Sequence, residues 1–211
     1  ILLIQTPGSF RPDKLEDAHE FFSKIDRDDL TVVWETRGPS WETPDMREKL
    51  VEVLRKLEVS HVTDPFRVMP TYTDSVAYFR LHGLGERMYY YQYTDEELKR
   101  LHELVKPLEA AGKEVYVLFN NLSMFDDGLR FMRFLETGRF LSLTGAVGLK
   151  SVRSVLEKTR FPVAKSMLLK RLGWRLVEVE ASVQVRLEEL LRDAPSKTFA
   201  SVDEVLQEIT F

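Results

Sequence analysis

The chain has 211 residues and a mass of 24.6 kDa, which suffices for one sizeable hydrophobic core and a small second module. It has no apolar run near the ~20 residues of a membrane helix and no signal segment, so we expect a cytoplasmic protein. It also has no cysteine, which excludes disulfides, thiolate catalysis and cysteine metal sites. The net charge of -4 argues against a general nucleic-acid binder, and 30% charged residues with few amides are typical of hyperthermophile proteins.

Apolar strands alternate with amphipathic helices over the first two thirds of the chain. The predicted strands are residues 1–5, 31–37, 60–64, 76–82 and 114–121, and the predicted helices are 13–25, 44–57, 94–111 and 125–135. Thr94 and Glu97 have the spacing of a capping box at the start of the third helix. This alternation predicts parallel βα units, about the last five of a (β/α)8 TIM barrel, and five strands cannot close such a barrel.

The predicted secondary structure changes after residue 145. Short helical stretches are predicted at 151–158, 163–172, 187–192 and 202–209, with Pro162, Gly173 and Pro195 between them. We therefore expect two domains, a barrel portion over residues 1–140 and a small helical module over 146–211, with the boundary near 138–148.

Polar side chains end each predicted strand. They are Gln5, Glu35, Arg37, Asp64, Arg80, His82, Asn120 and Asn121. In a parallel α/β fold the carboxyl ends of the strands meet on one side, where such folds place their sites. Burying this many polar groups costs free energy unless they bind one another or a ligand. Because the same pattern recurs on five strands, it predicts one shared polar pocket.

Each of these residues also has a structural interpretation. Glu35 and Arg37 could be an ion pair that caps the strands, and His82 could be a buried core histidine. The tyrosines at 89–91 could form a packed lid, and Asp126 and Asp127 are most simply helix-cap residues. The sequence has no nucleotide-cofactor motif, metalloprotease motif or serine nucleophile elbow.

Four segments carry these strand ends in a recognisable order. They are IQTPGSF at 4–10, WETRGPSW at 34–41, YFRLHG at 78–83 with the tyrosines up to Tyr93, and VYVLFNN at 115–121. These segments resemble the QLPPSF, EFRHPSW, YxRxHG and FNN motifs of the YecE-like family, a TIM-barrel family of unknown function. Gly38 stands where the second motif has its histidine, which puts any role of that position in doubt.

The resemblance covers residues 1–138 and implies a TIM barrel. The family's amino-terminal third has no counterpart here, and the chain opens on Ile1 inside a predicted strand. We therefore expect part of the barrel and of its mouth to be missing from this chain. The tail is similar, less specifically, to a small helical domain of unknown function found in bacteria and archaea.

The leading hypothesis is an enzyme, such as a metal-assisted hydrolase or lyase, that binds a small anionic or sugar-phosphate-like ligand. Arg37 and Arg80 would hold the anion, Glu35 or Asp64 would act as general base, and His82 would act as acid. Glu35, Asp64 and His82 are also candidate ligands of a divalent metal. The other expected ligand contacts are Gln5, Tyr91, Tyr93, Asn120 and Asn121.

Two other functions also fit the sequence. A nucleic-acid-associated protein would stack bases on the tyrosine loop, residues 88–93, and contact phosphates through Lys165, Lys170, Arg171 and Arg175. A scaffold would use the polar strand ends as a structural plug. The sequence leaves the oligomeric state and the role of the tail open.

Overall fold

The computed structural model describes residues 1–211, which form nine strands and eight α-helices. The strands are Leu2–Gln5 (β1), Val32–Glu35 (β2), Ser60–Val62 (β3), Val76–Leu81 (β4), Glu114–Phe119 (β5), Val163–Ala164 (β6), Leu176–Glu180 (β7), Val183–Arg186 (β8) and Thr198–Phe199 (β9). The helices are Leu15–Lys24 (α1), Pro44–Leu57 (α2), Asp95–Ala110 (α3), Met124–Thr137 (α4), Leu149–Leu156 (α5), Lys165–Leu172 (α6), Leu187–Leu190 (α7) and Val202–Gln207 (α8).

The chain divides into two compact units. Unit 1 comprises Ile1–His82 and Lys99–Asn120, and unit 2 comprises Gly83–Leu98 and Asn121–Phe211. The domain boundary predicted near 138–148 lies inside unit 2, which also includes residues from the loop before α3. None of the helices combines the length and the apolar character that crossing a membrane would require.

The five strands of unit 1 are parallel and follow chain order. β2 pairs with β1 on one side and with β3 on the other, and β4 pairs with β5. A single parallel bridge between Thr63 and Phe79 continues the ladder from the end of β3 to β4. These pairings confirm the predicted parallel βα arrangement, and they do not close a barrel.

Helix α2 shows how the sequence determines the helical layer of unit 1. Pro44 occupies its first turn, where the missing N–H costs little. The buried residues Met46, Leu50, Leu54 and Leu57 recur at helical spacing and face the core that contains Trp34 and Trp41. The chain leaves the helix at Glu58 in the left-handed conformation.

Unit 2 has its own hydrophobic core, built around α5, α6, α8 and β7. The predicted small helical module has its four helices, α5 to α8, and also contains strands that were not predicted, because β7 and β8 form an antiparallel hairpin and β6 pairs with β9. The missed signal is the alternation of valines with polar residues in LVEVE and VQVR, around a two-residue turn at Ala181 and Ser182. Segments with helical spacing flank this short period-two pattern on both sides.

Candidate functional site

Two guanidinium groups meet at the carboxyl ends of β1, β2 and β4 in unit 1. Gln5 and Glu35 end β1 and β2 and are paired in the parallel register. The Gln5 Oε1 atom accepts hydrogen bonds from Arg37 Nη2 at 3.1 Å and from Arg80 Nη1 at 2.7 Å. We call these four side chains, Gln5, Glu35, Arg37 and Arg80, the strand-end cluster.

Glu35 is the buried anion of the strand-end cluster. Its Oε1 atom accepts a hydrogen bond from Arg37 Nε at 3.1 Å, and its Oε2 atom accepts one from Arg80 Nη1. A carboxylate that is 5% exposed needs such partners to offset its desolvation. Because one carboxylate faces two guanidinium groups, the strand-end cluster carries a formal charge of about +1.

Solvent reaches the cationic members of the strand-end cluster. The side chains of Arg37 and Arg80 are 31% and 16% exposed. A guanidinium has five N–H donors, and those not used by Gln5 and Glu35 can bind a further acceptor. The cluster therefore has the charge and the donors to receive an anion.

His82 lies directly beside the strand-end cluster. Its Nε2 atom is 4.0 Å from Glu35 Oε1. Burial lowers the pKa of His82, and the charges of Arg80 and Arg37 lower it further, while Glu35 and Asp64 raise it. The imidazole is therefore neutral near pH 7 and can accept a proton there.

Asp64 positions the backbone at the end of β4. Its carboxylate accepts hydrogen bonds from the backbone N–H of His82 at 3.2 Å and from that of Phe66 at 3.1 Å. Burial raises the pKa of Asp64, against the effect of these two bonds and of Arg67. These contacts make Asp64 a positioning residue for His82.

Asn120 follows β5 in unit 1. Its backbone N–H donates a hydrogen bond to the Leu81 carbonyl at 2.8 Å, which places the end of β5 next to the end of β4. The structure thus assembles Gln5, Glu35, Arg37, Arg80 and His82, with Asp64 bound to the His82 backbone.

The other predicted ligand contacts lie in unit 2, where they are buried and engaged with the protein itself. The Tyr91 hydroxyl donates a hydrogen bond to Glu97 at 2.6 Å, and the Tyr93 hydroxyl accepts one from the Gly83 N–H at 2.9 Å. Asn121 Nδ2 donates to the Tyr91 carbonyl at 2.8 Å. These three side chains hold the tyrosine loop in place.

Asp127 is a buried residue whose importance the sequence analysis missed. It accepts hydrogen bonds from Asn121 Nδ2 at 2.7 Å, from the Tyr93 N–H at 3.3 Å and from Arg130 Nη1 at 3.2 Å. Burial raises the pKa of Asp127 to about 7, although these donors favour its ionised form. The available signal was the (i, i+3) spacing of Asp127 and Arg130, which neighbouring Asp126 obscured by suggesting a helix cap.

No three histidine, aspartate or glutamate side chains form a group that could hold a metal ion. Both carboxylate oxygens of Glu35 face guanidinium groups, which are unfavourable neighbours for a further cation. A metal ion on Glu35, Asp64 and His82 therefore stays a prediction, and the two guanidinium groups beside Glu35 disfavour it.

Comparison with known proteins identifies the family of residues 1–139. Residues 1–139 match the family model described as protein of unknown function DUF72. A search of the curated proteins finds no match.

Two similar crystal structures are DUF72 family proteins. The protein from Enterococcus faecalis V583 is 25% identical with a TM-score of 0.53, and the alignment covers 64% of this chain and 59% of that chain. The protein from Thermotoga maritima MSB8 is 30% identical with a TM-score of 0.50, and the alignment covers 64% of this chain and 56% of that chain. The chain thus spans less than two thirds of the length of either protein. Because the family model covers well over half of its residues, the chain belongs to the DUF72 family, the YecE-like family that the strand-end motifs indicate.

Proposed function

We propose that unit 1 binds a small anionic ligand, such as a sugar phosphate or a carboxylate, and that the protein is an enzyme acting on that ligand. The observation that carries this proposal is the strand-end cluster, in which Arg37 and Arg80 converge on the shared acceptors Gln5 and Glu35. Arginine pairs of this kind suit phosphate and carboxylate because the planar fork matches two acceptor oxygens.

The two arginines are held in place before any ligand arrives. Glu35 and Gln5 restrict the rotamers of both side chains, so less conformational entropy is lost when an anion binds. The desolvation of Arg80 also increases the strength of its interaction with an anion. Glu35 then serves to orient the two cations, and this role replaces the general-base role considered from the sequence.

His82 is the proton-transfer group in this proposal. Its neutral imidazole stands beside the anion site, and Asp64 holds its backbone through the N–H bond. A base with a pKa lowered by burial is available near neutral pH, which general-base catalysis requires. A hydrolase or a lyase reaction would use such a base to remove a proton from water or from the substrate.

We further infer that β1 to β5 are five strands of a (β/α)8 barrel. Their parallel pairing in chain order supports this architecture, since consecutive neighbours of that kind are its hallmark. The residues at their carboxyl ends would then lie at the mouth, where barrel enzymes place their sites.

The test is titration calorimetry of the full chain with inorganic phosphate and with ribose 5-phosphate. R80Q should weaken binding of both by at least about tenfold, or 1.4 kcal/mol, because the Gln amide cannot replace the charge. R55Q, which removes a cation from the last turn of α2, should leave both affinities unchanged.

A second variant separates binding from chemistry. H82Q should keep the ligand affinity of the wild type and lose turnover by about 10²- to 10⁴-fold on any small phosphorylated or carboxylated sugar that the wild type converts. Equal anion affinity in wild type and R80Q would refute the binding site and leave a structural polar plug. Unchanged turnover in H82Q would refute the role of the histidine.

A further inference from the structure

A pocket of about 400 Å³ lies entirely within unit 2 and has no part in the strand-end cluster. Its walls come from the loop before α3, from α6 and from the segments around β7 and β8. The residues that matter for its chemistry are Arg87, Tyr90, Tyr91, Trp174, Arg186 and Glu188. Its volume falls within the range of about 300–1,000 Å³ that is usual for small-molecule sites.

Aromatic rings form one wall of this pocket. The Trp174 indole meets the Tyr90 ring edge to face, with the ring centroids 6.2 Å apart and the planes at 88°. The indole Nε1 donates a hydrogen bond to the Arg171 carbonyl at 2.8 Å, which fixes the ring orientation. A half-buried indole that the protein holds in one orientation offers a surface on which a planar ligand can stack.

Two arginines lie over the rings of the tyrosines in the same wall. The Arg87 guanidinium is 3.6 Å from the centroid of the Tyr90 ring, and that of Arg186 is 4.1 Å from the centroid of Tyr91. Arg87 Nη1 donates to the Lys170 carbonyl at 2.7 Å, and Arg186 Nη1 donates to the Trp174 carbonyl at 2.8 Å. Both guanidinium groups are therefore oriented without a carboxylate partner.

The pocket lining holds equal numbers of cations and carboxylates, with Arg87 and Arg186 against Glu86 and Glu188. Lys170 and Arg171, whose backbone carbonyls accept the hydrogen bonds of Arg87 and Trp174, add two exposed cations on the last turn of α6.

We propose that this pocket binds a nucleoside monophosphate, that is, a planar base joined to a single phosphate. The base stacks on the Trp174 indole, which Tyr90 supports edge to face, and the phosphate accepts hydrogen bonds from the donors of Arg87 that its bond to Lys170 leaves free. The carboxylate of Glu188 is available to accept a hydrogen bond from an amino group of the base. This site goes beyond the proposed function, because none of its residues belongs to the strand-end cluster.

Tryptophan fluorescence tests this inference directly. Trp34 and Trp41 are 0% and 1% exposed, so Trp174 is the tryptophan that a ligand in solution can contact. Titration of the full chain with AMP should change the emission saturably, and adenosine or inorganic phosphate alone should bind at least about tenfold more weakly. W174F should abolish the emission change.

Variants of the cations assign the phosphate contact. R87Q should lower the AMP affinity at least about tenfold and leave that of adenosine unchanged. R133Q, which removes an exposed arginine of α4, should bind AMP like the wild type. Equilibrium dialysis with labelled AMP supplies a readout that does not depend on Trp174.

Four results would overturn the proposal. Three come from the AMP experiments, namely an emission change that persists in W174F, an AMP affinity in R87Q equal to that of the wild type, and the absence of saturable AMP binding by either method. Binding of a single-stranded oligonucleotide more than about tenfold tighter than AMP would also overturn it and would identify the pocket as part of a nucleic-acid surface.

Discussion

Two histidines of unit 1 show how burial and hydrogen bonding determine what an imidazole can do. His61 is buried on β3, with its Nε2 atom 3.0 Å from Thr36 Oγ1 and its Nδ1 atom accepting from the Thr71 N–H at 3.3 Å. Burial and, to a smaller extent, the charge of Arg47 lower the pKa of His61 to about 3. His61 is therefore a structural group, while His82 borders a solvated cluster and can exchange protons.

His61 predicts a specific dependence of stability on pH. Because its folded pKa lies below that of the unfolded chain, the unfolded state binds the proton more readily, and stability falls as pH decreases from about 6.5 toward 3. H61Q keeps one donor and one acceptor and cannot protonate. Between pH 6 and 4 the wild type should therefore lose about 3 kcal/mol more stability than H61Q, at about 1.4 kcal/mol per pH unit.

Urea denaturation at several pH values measures this difference. H19Q changes a histidine on α1 and should retain the pH slope of the wild type. Parallel pH profiles for the wild type and H61Q would show that His61 does not carry the expected penalty.

Alternation along the strand at 76–82 was enough to place Arg80 and His82 together, and the structure brings both to Glu35. The contact of Arg80 with Gln5, a residue 75 positions away, could not be inferred, because such contacts depend on the order in which the strands pair. The hydrogen bonds that engage Tyr91, Tyr93 and Asn121 within unit 2 could not be inferred either, since strand periodicity says nothing about loops.

At the level of elements, α4 is connected to the tyrosine loop by charged side chains. Asp127 accepts hydrogen bonds from Asn121, Arg130 and the Tyr93 N–H, and Arg130 also donates to the Tyr93 carbonyl at 2.8 Å and to Asp95. These bonds satisfy backbone groups of a loop that has no sheet partners. The loop therefore depends on α4 for its conformation.

Removal of the Asp127 carboxylate should destabilise this connection. D127A leaves Arg130, Asn121 and the Tyr93 N–H without a shared acceptor in a buried setting, which should lower the free energy of unfolding by about 3–5 kcal/mol near pH 8. The neighbouring D126A removes an exposed carboxylate that pairs with Arg175 at 3.3 Å and should cost less than about 1 kcal/mol.

Chemical denaturation of the wild type and both variants makes the comparison. Similar losses in D127A and D126A would show that burial of Asp127 contributes nothing beyond a surface ion pair. The adjacent positions serve as a matched pair because both lie in the first turn of α4.

Local signals predicted most element boundaries well. Helix α2 has the predicted bounds. The predicted capping box is confirmed, because the Glu97 N–H donates to Thr94 Oγ1 at 3.2 Å and the Thr94 N–H donates to Glu97 Oε2 at 2.8 Å. The hairpin of β7 and β8 was missed because its strands alternate valine with charged or amide residues and lack the continuous apolar run that marks a strand such as β1. In short segments a helical and an alternating pattern share many positions.

For the whole molecule, the order of elements was predictable and the organisation of the units was not. Repeated apolar strands with polar ends indicated parallel βα units and the family. The inclusion of residues 83–98 in unit 2 follows from contacts such as the Leu176 N–H to Gln92 Oε1 at 3.0 Å and the Asp95 N–H to Gln184 Oε1 at 2.9 Å. Such long-range hydrogen bonds between a loop and a hairpin leave no periodic trace in the sequence.

The proposed anion site at the strand ends of unit 1 depends on Arg37 and Arg80. A crystal of the full chain soaked in selenate tests this site most directly, because anomalous scattering locates selenium without reference to the expected position. We predict an anomalous peak that marks a selenate ion whose oxygens lie within hydrogen-bonding distance of both guanidinium groups, and no such peak in R80Q crystals. Selenate bound at other positions in the wild type, with none beside Arg37 and Arg80, would contradict the claim.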